Sequence, residues 1–382
     1  MQPPDYKKLQ VQRFIKALRE QEKLNPPDSF FLSANWLEPY VQAWETEEFR
    51  EIFCAQLGSA EQTIFAAISQ NRSKSKLGTR YISIALNQAY LPKINDINIE
   101  QGGFAGTSRS NLGPGLNALL EYLFEDPSWH ELKLNALLSS QDSVVLDAAK
   151  KYNLNAIQTY NSTSYYIKFD EIRAKHNGDY LTSRSANTRQ QIRRSLKLLE
   201  TEFGKVMLKH PADLSEAHSW LDDLNEMHRA RWNTDSESSG FMKPAFVKFH
   251  HDILNTYFES NVVKIVRVTA GATTLGINMY YIFQDGACFT FGGVNYAIDP
   301  KTRPGIVTHY LAINDFLKKD YKIYDFLEGR HRYKESLCTH TEENHGWALQ
   351  RKRLDLVLEN KLRNAKRKVR SLASKFKQQA VK

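Results

Sequence analysis

The ten residues Asp325-Phe326-Leu327-Glu328-Gly329-Arg330-His331-Arg332-Tyr333-Lys334 bring two carboxylates, a phenol and an amine into one short stretch. An ionised carboxylate can take a proton from an ammonium group, directly or through water. A lysine can neutralise developing charge or bind an anionic group. Asp325 stands between Tyr324 and Phe326 in a strand-like run, where a carboxylate must find a partner or shift its pKa. It reads equally well as a base or as the ion-pair partner of Arg330 or Lys334 that holds the following loop. Glu328, at the end of the run, is the alternative base. Tyr333 and Lys334 have plain readings too, as a packing ring and a surface lysine.

A second stretch, Arg303-Pro304-Gly305-Ile306-Val307, follows the β-rich run ACFTFGGV and opens a helix. Proline suits a first helical turn and glycine a tight one. The same arrangement presents free N–H groups that bind phosphate. Gly305 would let a ligand approach the backbone closely, and Arg303 can add a charge-assisted contact. A lone Pro-Gly start is weak evidence, because many bind nothing. His228, His250, His309 and His331 lack metal-ligand spacing, so no metal is expected. Arg189, Arg193, Arg194 and Lys197 share one helix and form either a site for phosphate or carboxylate or a solvated face.

These residues need a frame. Apolar spacing predicts helices over WLEPYVQAWE and EEFREIFCAQL, then strands over QTIFAAISQ, RYISIALNQ and INIEQGGF. PGLNALLEYLFED reads as a helix, HELKLNAL as a strand, SVVLDAAKKYN as a helix and SYYIKFD as a short strand. The run YLTSRSANTRQQIRRSLKLLETEFG carries helix start and stop signals, with Gly204 at its end. LSEAHSWLDDLNEMHRARW and KPAFVKFHHDILNTYFES are two more helices. VVKIVRVTA, TTLGINMYYIFQ and ACFTFGGV form a meander, turned at Asp285-Gly286. With the Pro-Gly helix and YKIYDFL the order is β-β-β-α-β.

The segment GPGLNALLEYLFEDPSWHELKLNAL matches RPGIVTHYLAINDFLKKDYKIYDFL at one constant offset of 190 residues. Pro114 falls on Pro304, Gly115 on Gly305, Leu116 on Ile306, Asn135 on Asp325 and Leu137 on Leu327. No gap is needed, which points to a duplicated unit. The expected organisation is an N-terminal unit over 1–160, a C-terminal unit over 161–348 and a tail over 349–382.

The β-β-β-α-β order with its Pro-Gly helix resembles the core of the GNAT superfamily of N-acyltransferases. There acyl-CoA lies against the strand before this helix, with its pyrophosphate on the helix N-terminus. LNEMHRARW with His228, Arg231 and Trp232, FVKFHHDIL with Phe249 and His250, the Arg-rich TRQQIRRSLKLLE and DFLEGRHRYK narrow the resemblance. They look like the CelD/BcsL-type acyltransferases, roughly from Trp36 to Trp347 and most sharply in the C-terminal half. That family is similar to the Fem peptidyltransferases, which carry two such folds in tandem. The resemblance implies an α/β (α+β) fold of two tandem GNAT-like units, each a mixed, mostly antiparallel sheet flanked by helices, the first unit degenerate. It implies acyl-CoA, for instance acetyl-CoA, as cosubstrate, held at Arg303, Pro304, Gly305, Ile306 and Val307. Asp325, Glu328, Tyr333 and Lys334 would be catalytic, with Tyr333 protonating the leaving thiolate, and His228, Trp232 and Arg193 would contact substrate. The acceptor would be an amine of an amino sugar, a polysaccharide precursor or an amino acid. Fem-like transfer from aminoacyl-tRNA is the alternative within the enzyme class. A non-catalytic membrane-associated assembly factor is the alternative outside it.

With 382 residues the chain is long enough for two domains, and 41% hydrophobic and 25% charged residues are ordinary for a soluble protein. The net charge of +9 sits in the tail, where twelve Lys or Arg face two acids from Arg351 onward, so the body is close to neutral. That disfavours nucleic acid as a partner of the body, tRNA in the alternative excepted. Leu358, Leu362, Ala365, Val369, Leu372 and Phe376 recur at helical spacing among the basic residues. They predict either an amphipathic helix for an anionic membrane surface or a helix packed on the body. Three dispersed cysteines argue against disulfides and a cysteine zinc site. No apolar run spans a bilayer and the start shows no leader, so the expected location is cytoplasmic, peripheral to the membrane if the tail binds it. No Gly-x-Ser-x-Gly, Walker or dinucleotide fingerprint is present.

Overall fold

The computed structural model describes residues 6–45, 48–57, 62–74, 78, 80–90, 97, 99–231, 240–356 and 358. The first half runs α1 (Tyr6–Leu24), α2 (Ala34–Gln42), β1 (Phe49–Gln56), β2 (Thr63–Lys74), β3 (Arg80–Leu86), α3 (Leu112–Phe124), β4 (Glu131–Leu138), α4 (Asp142–Lys151) and β5 (Asn155–Lys168). The second runs α5 (Phe169–His176), α6 (Ala186–Phe203), β6 (Val206–Lys209), α7 (Leu214–Arg231), α8 (Pro244–Tyr257), β7 (Val263–Ala270), β8 (Thr273–Phe283), β9 (Gly286–Val294), α9 (Pro304–Lys318), β10 (Ile323–Glu328), α10 (Arg332–Leu337) and β11 (His340–Gln350). Local chemistry sets several of these ends. Ser185 caps α6 by accepting from the Thr188 N–H, and Gly204 closes it at a φ of 95°.

All the strands join one eleven-stranded sheet in the order β1-β2-β3-β4-β11-β5-β10-β9-β8-β7-β6. Only β3/β4 and β9/β10 are parallel among these neighbours. Each half therefore holds three antiparallel strands, a helix, and a fourth strand parallel to the third: β1-β2-β3-α3-β4 and β7-β8-β9-α9-β10. The duplicated unit is real at the level of topology, and the fold is two GNAT-like units in tandem. The units also trade strands. β5 pairs with β10 of the second half, and β11 inserts between β4 and β5, antiparallel to both. The chain thus passes residue 160 within a strand.

One sheet face is covered by α1, α2, α7 and α8, whose buried side chains form a single core with Phe65, Ala67, Ile265, Ile277 and Tyr281. The intervening positions Ile64, Ala66 and Ile68 face α3 and α4. Val266, Val268 and Tyr280 face the helices α5, α6 and α9. This period of two lets each strand serve both layers.

Two expected elements differ. EEFREIFCAQL is largely the strand β1, not a helix, because pairing with β2 overrides its helix-like spacing. INIEQGGF is no strand among its described residues: Gly102 lies so close to β4 that a Cβ there would be 1.8 Å from the Asn135 carbonyl oxygen. Its N–H donates to Ala136 O instead of joining a ladder. The short β6 and the polar β11 had no expected counterpart. Trp232 and nearly all of the expected tail helix lie outside the described residues.

Candidate active site

The pairing of β9 with β10 ends at Cys288–Asp325, and beyond it β9 continues to Val294 bonded to β8 alone among the described strands. The split opens a cleft of about 540 Å³. β9 supplies Phe289–Gly292 and Val294, α9 supplies Pro304, Gly305, Ile306 and His309, and α7 supplies His228. Glu328, Tyr333 and Lys334 close the far side. Across from Met279 and Tyr280 stand Phe291 and Phe289, which leaves Thr290 as an extra residue, a bulge that bends the β9 edge inside the cleft.

At one end lies the N-terminus of α9. Pro304 is its first residue, and Arg303 precedes it in the left-handed region at φ 49° with no side-chain cap. An uncapped helix start carries unsatisfied N–H groups and partial positive charge. Gly305 faces the cleft, and a Cβ there would meet only the Val294 methyls, the nearer at 3.1 Å. The equivalent slot of the N-terminal unit is shut. There the helix starts two residues before Pro114, and a Cβ on Gly115 would stand 2.6 Å from the Phe104 ring and 3.0 Å from Ile64. Phe104 fills the space that a ligand would need. Gly115→Ala should therefore cost about 1–3 kcal/mol of stability by overpacking, read as a lowered melting temperature, while leaving ligand binding at the C-terminal cleft unchanged.

The other end is where β10 stops. Leu327 adopts φ 58° and Gly329 φ 109°, and Asp325 Oδ1 accepts from the Leu327 N–H at 2.7 Å, which fixes the kink. Gln101 Nε2 donates to Asp325 Oδ2 at 3.1 Å, and Glu100 Oε2 accepts from the Glu328 N–H at 3.2 Å, both from the N-terminal half. Lys334, 5% exposed, donates to the carbonyls of Glu328 at 2.5 Å and Leu327 at 3.4 Å. Glu328 Oε1 is buried with no hydrogen-bond partner among the described residues. Burial, then the charge of Glu100, pushes the Glu328 carboxyl up to about 8. Burial pushes Asp325 up to about 6 against the opposing Leu327 N–H and Lys334. Burial also raises Glu100 and lowers Lys334, the latter against the pull of all three carboxylates. A carboxyl so placed can exchange a proton near neutral pH.

Of the expected catalytic set, Glu328, Tyr333 and Lys334 line the cleft and Asp325 does not. Alternation places Asp325 on the opposite face from Tyr324 and Phe326, towards Gln101. Neither expected ion pair forms as a direct contact: Arg330 reaches Glu343 at 3.6 Å and Asn161 at 3.3 Å. Pro304, Gly305, Ile306 and Arg303 line the cleft, whereas Val307 is fully buried in the core beneath it. His228 lines the cleft beside Phe241. Arg193 is exposed and lines neither the cleft nor its mouth; Arg194 stands beside Arg303 instead, in a contiguous hollow with Lys301. His250 is held by Phe246 O at 2.8 Å among Phe246, Phe249 and Phe291, and burial lowers its pKa to about 3, a packed neutral ring. No sequence spacing marks Glu100, Gln101 or the Thr290 bulge, and His309 stands in the sequence only among histidines without metal-ligand spacing. Among the described residues no group of His, Cys, Asp or Glu could hold a metal ion, and no helix is long and apolar enough to cross a membrane.

Residues 186–335 match the family model of the acetyltransferase (GNAT) domain. No curated protein matches the chain in sequence. Among solved structures, a protein of unknown function from Bacteroides thetaiotaomicron is similar over 88% of this chain and 97% of its own, at 10% identity and a TM-score of 0.53. FemX is similar over 87% and 95%, at 11% identity and a TM-score of 0.53. L-PGS from Bacillus licheniformis is similar over 90% and 94%, at 10% identity and a TM-score of 0.52. At these identities the likeness is one of fold, and it extends across both units. The matched segment runs from α6 into α10 and so contains every residue of the cleft; the likeness to the acetyltransferase (GNAT) domain falls on the unit that carries the cleft.

Proposed function

We propose that this protein is an acyl-CoA-dependent N-acyltransferase of the CelD/BcsL type, working from its C-terminal unit alone. The observation that carries the reading is a single cleft that joins the uncapped start of α9 to Glu328 and Tyr333. The Gly305 end suits a pyrophosphate. The free edge of β9 suits the amide-bearing arm of the cosubstrate, and the bulge at Thr290 turns backbone towards the thioester carbonyl, where an N–H can hold the oxyanion. Glu328 takes a proton from the acceptor ammonium. The freed amine attacks the carbonyl carbon, a C–N bond forms, and the C–S bond breaks with its electron pair going to sulfur. Tyr333, which lines the same cleft, returns a proton to that sulfur in this reading. Aligning the two reactants supplies about 7–11 kcal/mol of barrier lowering, so no covalent intermediate on the protein is required. Asp325 holds the turn that aims Glu328 and is a positioning residue in this reading.

The acceptor class is an amine on an amino sugar, a polysaccharide precursor or an amino acid. The test is release of CoA thiol from acetyl-CoA and longer acyl-CoAs across a panel of such amines, with mass spectrometry of any ligand retained through purification. Absence of calorimetric binding to every acyl-CoA would sink the reading. One observation favours a second reading, transfer of an aminoacyl group from tRNA: beyond Arg303 lies the hollow of about 630 Å³ with Arg194 and Lys301, room for phosphates of a larger carrier. Co-purifying tRNA with no acyl-CoA binding would select it.

A further inference from the structure

His309 on α9 is 6% exposed and yet lines the cleft. Its ring stacks on Tyr333 at 5.0 Å and meets the edge of Phe289 at 4.6 Å. Phe289 directly follows the last β9 residue paired with β10, so this imidazole sits where the two strands part, one helical turn beyond Gly305 on α9. Its Nδ1 is 2.8 Å from Tyr324 Oη, which is 3.0 Å from Tyr280 Oη. Asn278 Nδ2 donates to Tyr280 Oη at 2.9 Å. Gly292 makes room for that amide, since a Cβ there would be 2.3 Å from Asn278 Oδ1. Nε2 of His309 has no hydrogen-bond partner among the described residues.

The chain has a direction. An amide N–H can only donate, so Tyr280 Oη accepts from Asn278. Each phenol has one proton, and leaving a buried O–H unmatched costs about 1–3 kcal/mol. Tyr280 therefore gives its proton to Tyr324, and Tyr324 gives its own to Nδ1 of His309. A neutral imidazole that accepts at Nδ1 carries its hydrogen on Nε2. Burial, with Lys334 adding to it, lowers His309 to about 3, so the ring stays neutral at working pH.

We infer that His309 presents a fixed Nε2–H to the sulfur of the cosubstrate and stabilises the thiolate as the C–S bond breaks. The inference rests on the acyl-CoA reading above. The carbonyl oxygen has the β9 bulge for a partner, whereas His309 comes from α9 and stacks on Tyr333, the tyrosine placed at the sulfur. The hydrogen stays on nitrogen, and the sulfur keeps the electron pair until a proton reaches it. Tyr324, Tyr280 and Asn278 are positioning residues that fix the tautomer.

Two measurements on the full chain test this without an acceptor. Nitrogen-15 NMR of the ligand-free protein should show His309 protonated at Nε2, and Tyr324→Phe should lose that bias. Ultraviolet titration of bound CoA should then give a thiol about tenfold more acidic in the native protein than in His309→Phe, which keeps a stacked ring but no donor. His309→Gln, which keeps an N–H, should restore part of the difference. Groups facing the site that also act on the thiol are Lys334 and Tyr333 from α10, His331 just before it, Glu328 and Tyr324 from β10, Tyr280 from β8, His228 from α7, and Tyr296 and Arg303 between β9 and α9. All are retained in both His309 variants, so the comparison isolates the donor. An Nδ1–H tautomer, or equal thiol acidity in the native and His309→Phe proteins, overturns the inference. Failure of CoA to bind at all overturns the acyl-CoA reading and the sulfur contact with it, and is told apart because the tautomer is read with no ligand present.

Discussion

Gly305→Glu should abolish binding of CoA and acetyl-CoA while the protein stays folded. Gly305 is the second residue of an uncapped helix, half-buried at the cleft mouth. A side chain there enters the space between α9 and Val294, and its carboxylate takes the place and the sign of the phosphate. Charge-assisted hydrogen bonds contribute about 1.5–3 kcal/mol each, so losing two and adding repulsion weakens binding by roughly 100-fold or more. Arg303→Ala, which removes one exposed contact, should cost about tenfold or less. Calorimetry with CoA reads both. Unchanged affinity in a folded Gly305→Glu protein would remove the donor from this cleft.

Glu328→Gln should cut turnover by about 10²–10⁴-fold, the range for loss of a general base, and should make the protein more stable in alkali. The group must be ionised to act, so with its carboxyl raised to about 8 the native rate should climb through that pH and level above it. Glu100→Gln removes a neighbouring negative charge and should move the climb to lower pH. Stability runs the other way. The unfolded chain ionises Glu328 near the ordinary value of 4.5, while the folded chain holds its proton up to about 8. Between those values the folded state binds more protons, so its stability falls as pH rises. The glutamine cannot ionise and escapes that loss. Melting temperatures from pH 6 to 9 should therefore fall less steeply for Glu328→Gln than for the native protein. Parallel melting curves together with a normal pH–rate profile would show that Glu328 is neither buried as a charge nor the base.

The duplication could be read from the sequence because both copies keep Pro-Gly and a strand at one spacing, which survives even though Gly115 and Gly305 now meet different surroundings. The site was legible in part. Glu328, Tyr333 and Lys334 cluster because a kinked strand end and a short helix are local. Expecting Asp325 in the same cleft went against the period of two, since positions three apart on a strand face opposite ways. Glu100 could not be seen: it comes from a glycine-bearing loop far away in the chain, and only the sheet brings the two together. His309 looks like one more buried residue in the stripe of Val307, Ala312 and Ile313, because its function depends on tyrosines on two separate strands. β11 was missed since HTEENHGWALQ is polar along most of its length; it is a central strand that its neighbours, not its composition, keep buried.

The insertion of β11 between β4 and β5 has a consequence for how the molecule is made on the ribosome. The strand that completes the first unit is synthesised only after β6 to β10 of the second, and Asp142 of α4 waits for His345 and Trp347 of that strand to take up its carboxylate. Until then the edge of β4 is exposed. Contacts so distant in the chain close late and slowly, and an open strand edge in a partly made protein invites association with other chains. The first unit therefore keeps an open edge at β4 until the second unit has been made.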